Sequence, residues 1–117
     1  MARAKPRARA ELAVAEIEGE AVVYDLLPGY LHYLNHSAAL VFGLCDGKTT
    51  IAEMAEAIGD AYEIDPGEVE GQVRPLLANL RKLGILEGKT ADRLLEEAAK
   101  RKAAIRQLRR IPVPRDT

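Results

Sequence analysis

The sequence predicts an α+β protein in which a three-stranded antiparallel meander is followed by three helices and a C-terminal helical extension. Residues 11–34 are rich in β-branched and aromatic side chains and are divided by two short turns. The apolar spacing changes from a period of two to a helical period at Asn35. Helix-start signals then recur at Thr50 and Asp65. This order of elements is a winged-helix-like layout.

The three predicted strands cover residues 11–18, 21–27 and 30–34. Glu18-Gly19-Glu20 favours a tight turn between the first two strands. Leu27-Pro28-Gly29-Tyr30 places Pro and Gly at the two central positions of a type II turn before the third strand. Because both connections are short, we expect each strand to run antiparallel to the one before it.

The first two helices are predicted from residues that cap helix ends. Asn35 or Ser37 can cap the first helix, and Gly47 is expected to end it in a left-handed conformation. Thr50 and Glu53 match a capping box, in which each side chain accepts a hydrogen bond from the backbone of the other. Apolar residues recur on one face of this second helix: Ile51, Met54, Ala55, Ile58 and Tyr62.

The third helix is predicted to start with Asp65 as its cap and Pro66 in its first turn, and to stop at Gly84. Its apolar stripe consists of Val69, Val73, Leu76, Leu77, Leu80 and Leu83. Pro75 lies inside this helix, where proline costs on the order of 3 kcal/mol. We therefore expect a kink near Gly71 and Pro75, or a helix that restarts there.

These elements divide the chain into three parts. Residues 1–10 are a basic arm that we expect to be frayed and disordered. Residues 11–87 form the folded domain. Residues 88–117 form a basic extension and tail, in which a fourth helix is predicted over 90–110.

Composition limits the class of protein. The chain has 117 residues, 48% hydrophobic and 30% charged, as expected for one small soluble domain. The single cysteine, Cys45, excludes an internal disulfide and fits a reducing compartment. No apolar run approaches the roughly 20 residues of a membrane span. We therefore expect a cytoplasmic protein.

The net charge of −1 conceals a strong segregation of charge. Residues 46–71 carry eight acidic side chains against Lys48 alone. Residues 1–10 carry four basic groups and no acidic one, and residues 87–117 carry nine basic against five acidic groups. The acidic segment can be a solvated helical face with basic tails beside it. Alternatively, the tails dock an acidic partner or nucleic acid.

Catalytic and metal-binding motifs are not recognisable. His32, His36 and Cys45 lack the spacing of a metal site, and Cys45 is interpreted as a small buried hydrophobic residue. The sequence contains no Ser-His-Asp arrangement, glycine-rich phosphate loop or convincing pair of catalytic carboxylates. We therefore predict a protein that is not an enzyme and needs no cofactor or metal.

Two interaction functions are compatible with this layout. In a winged-helix DNA-binding regulator, the third helix would enter the major groove by its N-terminal end. Here that end carries Asp65, Glu68 and Glu70, which would repel phosphates. The fourth helix could instead serve as a docking module for another protein or for a homodimer.

The ordered motifs resemble those of the PqqD family over about residues 11–87. The family pattern begins with Leu-Asn, continues through Asp-Gly and a Thr-(Val/Ile)-x-Glu-(Ile/Met)-Ala segment, and closes on Gly-(Ile/Leu)-Leu. The matching residues are Leu34-Asn35, Ala38-Ala39, Asp46-Gly47, Thr50 to Ala55 and Gly84-Ile85-Leu86.

The resemblance implies a RiPP recognition element, which binds the leader segment of a ribosomally made precursor peptide. Such a protein presents the leader to a tailoring enzyme, often a radical-SAM protein or a leader peptidase. In the family the leader adds as an extra strand beside the third strand and under the third helix, a form of β-augmentation.

Carried over to this chain, the resemblance places the peptide between residues 30–34 and the third helix. The implied binding residues on the strand are Tyr30, Leu31, His32 and Tyr33. Those on the helix are Val69, Val73, Arg74, Leu76, Leu77 and Arg81. Arg74 and Arg81 are seven residues apart and share a helix face, so they could hold acidic residues of the leader.

Overall fold

The computed structural model describes residues 4–26 and 29–109, with the side chains of residues 4–26 and 29–104. Its elements, in chain order, are β1 (Leu12–Ile17), β2 (Glu20–Asp25), β3 (Tyr30–Leu34), α1 (His36–Gly43), α2 (Ile51–Tyr62), α3 (Pro66–Lys82) and α4 (Lys89–Arg109). Three strands followed by helices confirm the predicted α+β fold.

The strands form one antiparallel sheet in the order β1-β2-β3. Glu18 and Gly19 both have positive φ, 52° and 81°, as a type I′ hairpin turn between β1 and β2 requires. The predicted second turn lies partly outside the described residues, but Gly29 has φ +76° and its N–H donates to the Asp25 carbonyl. Consecutive strands are therefore neighbours, and β3 lies at an edge.

Asn35 and Thr50 cap the first two helices as predicted. The Asn35 side chain accepts from the Ala38 N–H, and the capping box of Thr50 and Glu53 is complete. The prediction that Gly47 ends α1 is wrong, because α1 ends at Gly43. Gly47 instead adopts φ +76° in a turn organised by Asp46.

Helix α3 begins as predicted and does not restart at Pro75. The Asp65 carboxylate accepts hydrogen bonds from the Gly67 and Glu68 N–H groups, and Pro66 follows in the first turn. The helix continues without a break to Lys82, and Pro75 lies on its exposed side. Since Gly71 is also exposed, water can bind the carbonyl that Pro75 leaves without a partner. Gly84, with φ +78°, then turns the chain.

A single aliphatic core joins the inner face of the sheet to the helices. Its centre includes Val23 of β2, Met54 of α2 and Leu77 of α3, each fully buried. Ile85 and Leu86, just after α3, close onto the same core. The core thus holds α3 against the inner face of the sheet, with β3 beside α3.

The N-terminal segment is ordered, and the expectation of a frayed arm is wrong for residues 6–9. Ala8 donates its N–H to the Cys45 carbonyl and Arg9 donates its N–H to the Ile85 carbonyl, both at 2.9 Å. The Arg9 side chain is buried and forms an ion pair with Asp25 of β2. Backbone pairing and a buried charge pair therefore hold a segment whose sequence carries no strand pattern.

Candidate functional site

The accessible edge of β3 is the first feature of the candidate site. One edge of β3 pairs with β2, and among the described residues no strand pairs with the other edge. Leu31 and Tyr33 are 71% and 63% exposed, and Tyr30 is 44% exposed. The backbone groups of this edge can therefore pair with an added strand.

The side chains of β3 alternate between two environments. Leu31 and Tyr33 lie on the outer face of the sheet, whereas Leu34 is buried on the inner face. His32 is half-buried on the inner side, with its ring edge-on to that of Tyr30 at 6.4 Å. The buried His32 Nε2 has no hydrogen-bond partner among the described residues. The edge of β3 thus presents aromatic groups to both faces.

Tyr33 has an acidic neighbour across the sheet. It pairs with Val22 of β2, so Glu20, two residues earlier, lies diagonally beside it. The hydrogen bond with Glu20 raises the pKa of the Tyr33 phenol above its ordinary value. Tyr33 therefore remains protonated at neutral pH and can donate a hydrogen bond.

A cleft lies between β3 and the C-terminal half of α3. We call it the β3–α3 cleft, and its volume is about 470 Å³. The residues that line it include Tyr33 and Leu34 of β3, Ala38 of α1, and Leu76, Asn79 and Leu83 at the end of α3. The cleft adjoins β3 at Tyr33 and Leu34, the last two residues of the strand.

A second cavity adjoins this cleft through a shared residue, Leu76. We call it the α1–α3 pocket; it is apolar, has a volume of about 240 Å³ and is also lined by Leu40 and Ile58. His36 lies at its rim, with Nδ1 3.1 Å from the Gly19 carbonyl oxygen and Nε2 3.4 Å from the Tyr62 hydroxyl. The two cavities follow the same side of α3.

The apolar residues predicted on α3 divide between the core and these cavities. Val69 and Val73 are 5% and 2% exposed and contribute only to the floor of the α1–α3 pocket. Leu77 is fully buried and lines neither cavity. Leu76 is half-buried and lines both. Of the four, Leu76 is therefore the one best placed for contact with a ligand.

Arg74 and Arg81 share a helix face as predicted, but that face is turned away from the β3–α3 cleft. Arg74 binds Glu70 at 2.8 Å and lies near Thr50, at the start of α2. Arg81 lies near Pro6 of the N-terminal segment. Neither arginine lines the β3–α3 cleft, and the clamp for acidic leader residues stays a prediction.

The sequence interpretation included Leu76 among the binding residues but not the other α3 residues of the same stripe that line the cavities. Gln72, Leu76, Asn79 and Leu83 follow one another at helical spacing along the cavities. The first three each precede a core residue by one position, at Val73, Leu77 and Leu80. The helical spacing of these residues, offset by one position from the core-facing stripe, was the signal that could have located the cavities. Because the offset stripe includes polar residues, it gave no indication of a groove.

Neither membrane nor metal chemistry is evident in the described part of the chain. No helix there combines the length and apolar character needed to cross a bilayer. Among the described residues, no three metal-binding side chains come together. Cys45 is buried, and burial raises its pKa to about 11, so the thiol stays protonated.

Together, a winged-helix-like α+β fold and a free strand edge beside an apolar cleft define a class of domain that can bind extended peptides. The family described as coenzyme PQQ synthesis protein D matches residues 20–86. The chain therefore belongs to the PqqD family.

A curated relative and three solved structures resemble the chain. The bifunctional coenzyme PQQ synthesis protein C/D of Methylorubrum extorquens is 34% identical over 62 residues, which cover 53% of this chain and 17% of that protein. The chain thus matches about a sixth of that relative. The solution structure of the PqqD part of Methylobacterium extorquens PqqCD, described as a stand-alone RiPP recognition element, has 28% identity and a TM-score of 0.59; 74% of this chain covers 96% of it.

The other two solved structures contain leader peptides. TbiB1 in complex with the TbiA(beta) leader peptide has 25% identity and a TM-score of 0.62, with 71% of this chain covering 96% of that one. Lasso peptide synthetase B1 with its leader peptide has 26% identity and a TM-score of 0.62, with coverages of 73% and 100%. About a quarter of the present chain therefore lies outside the region shared with these proteins.

Proposed function

We propose that this protein is a RiPP recognition element that binds the leader segment of a ribosomally synthesised precursor peptide. The leader adds as a strand to the free edge of β3 and lies along the β3–α3 cleft. The observation that supports this most directly is the exposed edge of Tyr30–Leu34 beside that cleft. Likeness to two proteins solved with leader peptides gives independent support.

Strand addition explains how one small surface can bind a peptide with both affinity and selectivity. The N–H and C=O groups that point to the free edge belong to alternate residues of β3, and they pair with the peptide backbone whatever its sequence. Alternate peptide side chains then face the cleft and the outer face of the sheet. Leu76 and Leu83 offer apolar contact on the cleft side. Selectivity therefore comes from the residues that enter the cleft.

The protein acts by presenting the peptide rather than by transforming it. The residues lining the β3–α3 cleft are aliphatic, aromatic, amide or lysine side chains, without a nucleophile paired to a base. We therefore assign the chemistry to a partner, either a radical-SAM enzyme or a leader peptidase. The recognition element raises the local concentration of the precursor at that enzyme.

The test is titration of the purified protein with a synthetic leader peptide encoded beside its gene, followed by calorimetry. We expect saturable binding, and a scrambled peptide of the same composition should bind much more weakly. Absence of binding at roughly 50 µM, about −6 kcal/mol, would contradict the proposal.

Duplex DNA serves as the competing ligand in the same assay. The N-terminal end of α3 carries Asp65 and Glu68, and α2 contributes Asp60 nearby, so phosphates should be repelled there. We expect no DNA binding at 150 mM salt. Salt-dependent DNA binding without leader binding would favour a winged-helix regulator.

A further inference from the structure

The α1–α3 pocket presents apolar side chains at the helical surface of the domain. Leu40 of α1, Ile58 of α2 and Leu76 of α3 are half-buried in its lining. Tyr62 and Ile64 also line it and are 51% and 41% exposed. No strand residue lines this pocket, so a molecule bound there would leave the free edge of β3 open.

Acidic residues surround one side of this pocket. We call the connection from α2 to α3, residues 60–68, the α2–α3 elbow; it includes the pocket residues Tyr62 and Ile64. Its exposed acidic side chains are Asp60, Glu63, Asp65 and Glu68. Asp65 caps α3, and none of the other three forms an ion pair with a described residue. The apolar pocket therefore has uncompensated negative charge at its rim.

The C-terminal half of α4 carries the opposite charge. We call residues 100–109 the basic segment of α4. It has no acidic residue, and its basic residues are Lys100, Arg101, Lys102, Arg106 and Arg109. The N-terminal half of α4 packs on the domain, since Ala91 and Ala98 are 1% and 8% exposed. After Ala98, every described side chain of the helix, at residues 99–104, is exposed. The start of the basic segment is therefore accessible to another molecule.

One face of the basic segment matches the pocket and its rim. Positions 98, 102, 105 and 109 share a helix face, because they are three or four residues apart. The face that packs at Ala98 thus continues with Lys102, Ile105 and Arg109 in the sequence, and Arg106 follows Lys102 by one turn. An aliphatic residue flanked by basic ones is the complement of an apolar pocket with an acidic rim.

We propose that the basic segment of α4 from a second copy of this chain docks on the α1–α3 pocket and the α2–α3 elbow. In this dimer Ile105 contacts the apolar lining, while Lys102 and Arg106 face the acidic elbow. Each copy has one pocket and one basic segment, so a two-fold dimer forms both contacts at once. The inference goes beyond leader binding, because it concerns a surface that leaves both β3 edges open.

The positions of the two surfaces favour a second copy over the same chain. Leu94 of α4 lies against Gly84, just after the C-terminal end of α3. The elbow lies at the other end of α3, and the 17 residues of that helix span about 25 Å. Since α4 leads away from Ala98 with exposed side chains on all sides as far as residue 104, its basic segment meets the elbow of another copy.

Sedimentation equilibrium of the full chain tests for this dimer. At a protein concentration of about 100 µM and about 50 mM salt, we expect twice the 12.8 kDa mass of one chain. Raising the salt to about 500 mM should increase the dimer Kd at least about fivefold, because exposed charge contacts are screened.

An exchange of charges identifies the two surfaces. Asp60→Lys with Glu63→Lys reverses the charge of the elbow, and Lys102→Glu with Arg106→Glu reverses that of the basic segment. Each double variant alone should self-associate at least about tenfold more weakly, because the two-fold axis brings like charges together twice. An equimolar mixture of the two should recover the dimer, since both of its contacts then pair opposite charges.

Matched variants control for net charge and for exposed apolar area. Glu16→Lys on β1 and Lys89→Glu at the start of α4 reverse exposed charges outside both surfaces, and each should dimerise within about twofold of the parent protein. Ile64→Ser removes an apolar side chain from the pocket and should weaken the dimer about fivefold. Val14→Ser, on β1 and 47% exposed, should leave the dimer Kd unchanged.

The possible outcomes separate this dimer from its alternatives. A monomer under the low-salt conditions would overturn the proposal, as would a dimer that neither charge reversal weakens or a mixture that stays monomeric. Binding of duplex DNA by a monomeric protein, lost on reversal of the basic segment, would assign that segment to nucleic acid instead. Both double variants should bind the leader as the parent protein does, so a failure of leader binding concerns the proposed function alone.

Discussion

Arg9 and Asp25 form the buried ion pair of the described part of the chain. The Arg9 guanidinium donates to both carboxylate oxygens of Asp25 and, at 2.7 Å, to the Gly84 carbonyl. Both charged side chains are almost completely buried. Since an unpaired buried charge is costly, the two residues stabilise the fold only as a pair. They tie the N-terminal segment to β2 and to the turn after α3.

Arg9→Met should destabilise the protein by roughly 3–5 kcal/mol, because it leaves the Asp25 carboxylate buried without its partner. Urea unfolding followed by circular dichroism measures this change. The exposed pair of Arg7 and Glu87, separated by 3.8 Å, provides the control. Arg7→Met should cost less than about 1 kcal/mol. Equal losses in the two variants would contradict the assigned role of the buried pair.

The Cys45 thiol should react slowly while the protein is folded. Burial raises its pKa from 9.0 to about 11, so the thiolate fraction at pH 8 is about 0.001. We expect alkylation to be at least about a hundredfold slower than in 6 M guanidinium. Because the folded pKa is raised, the folded state also loses stability as the pH rises from about 9 towards 11. Rapid labelling at pH 8 would show that the thiol is accessible.

At the scale of the elements, strand and helix starts were predictable because their signals are local. The capping box at Thr50 and the Asp65-Pro66 start act within one helical turn and hold in the structure. The end of α1 was not predictable from Gly47, because Asp46 forms a separate turn before it. Local rules therefore located the elements but not every boundary.

The candidate site was only half predictable, since a groove depends on how elements pack. β3 was found because strand order follows from the short turns, and its edge is exposed as the order requires. On α3 the apolar pattern identified the core-facing residues Val73 and Leu77. Asn79 and Lys82 line the cleft instead, and their position becomes evident only once β3 lies beside α3.

Proline substitutions on β3 test the proposed docking edge. Successive N–H groups of a strand point to opposite edges. Of Leu31→Pro and His32→Pro, one therefore removes a donor that faces β2 and the other removes a donor that faces the free edge. We expect one variant to lose stability through its broken pairing with β2. The other should remain folded but bind the leader roughly threefold to tenfold more weakly. Thermal unfolding and peptide titration identify which variant is which.

Leu31→Ala is the matched control for these variants, because it removes the exposed side chain and keeps the N–H group. It should bind the leader more tightly than the folded proline variant does. If the folded proline variant binds the leader as the parent protein does, β3 is not the docking edge.

At the scale of the whole molecule, the two segments that flank the PqqD match behave differently. The N-terminal segment is threaded between the Cys45–Gly47 turn and the Ile85–Glu87 turn and pairs with both. Its alternation of alanine with basic residues gave no strand signal, because the partners that order it come from distant parts of the chain. α4 was predicted correctly from its own helical pattern, but among its described side chains, at residues 89–104, none belongs to the main core cluster.

Truncation from the two sides should therefore lower the stability to very different extents. Removal of residues 1–9 deletes Arg9 and several backbone hydrogen bonds, and it leaves Asp25 buried without its partner. The expected loss of at least about 3–5 kcal/mol is comparable with the whole stability of a small domain, so this variant should be largely unfolded. Removal of residues 89–117 deletes no described side chain of the core cluster, so we expect a small loss of stability, and each kcal/mol lost lowers the Tm by about 4–8 °C.

Calorimetric melting compares the two truncated proteins with the full chain. Asp25→Asn in the variant without residues 1–9 tests whether the unpaired Asp25 carboxylate causes the loss of stability. This substitution removes the buried charge that the first truncation leaves behind, so it should restore part of the lost stability. A cooperative transition close to that of the full chain in the variant without residues 1–9 would show that the N-terminal segment is dispensable. An unfolded variant without residues 89–117 would instead make α4 an integral part of the domain.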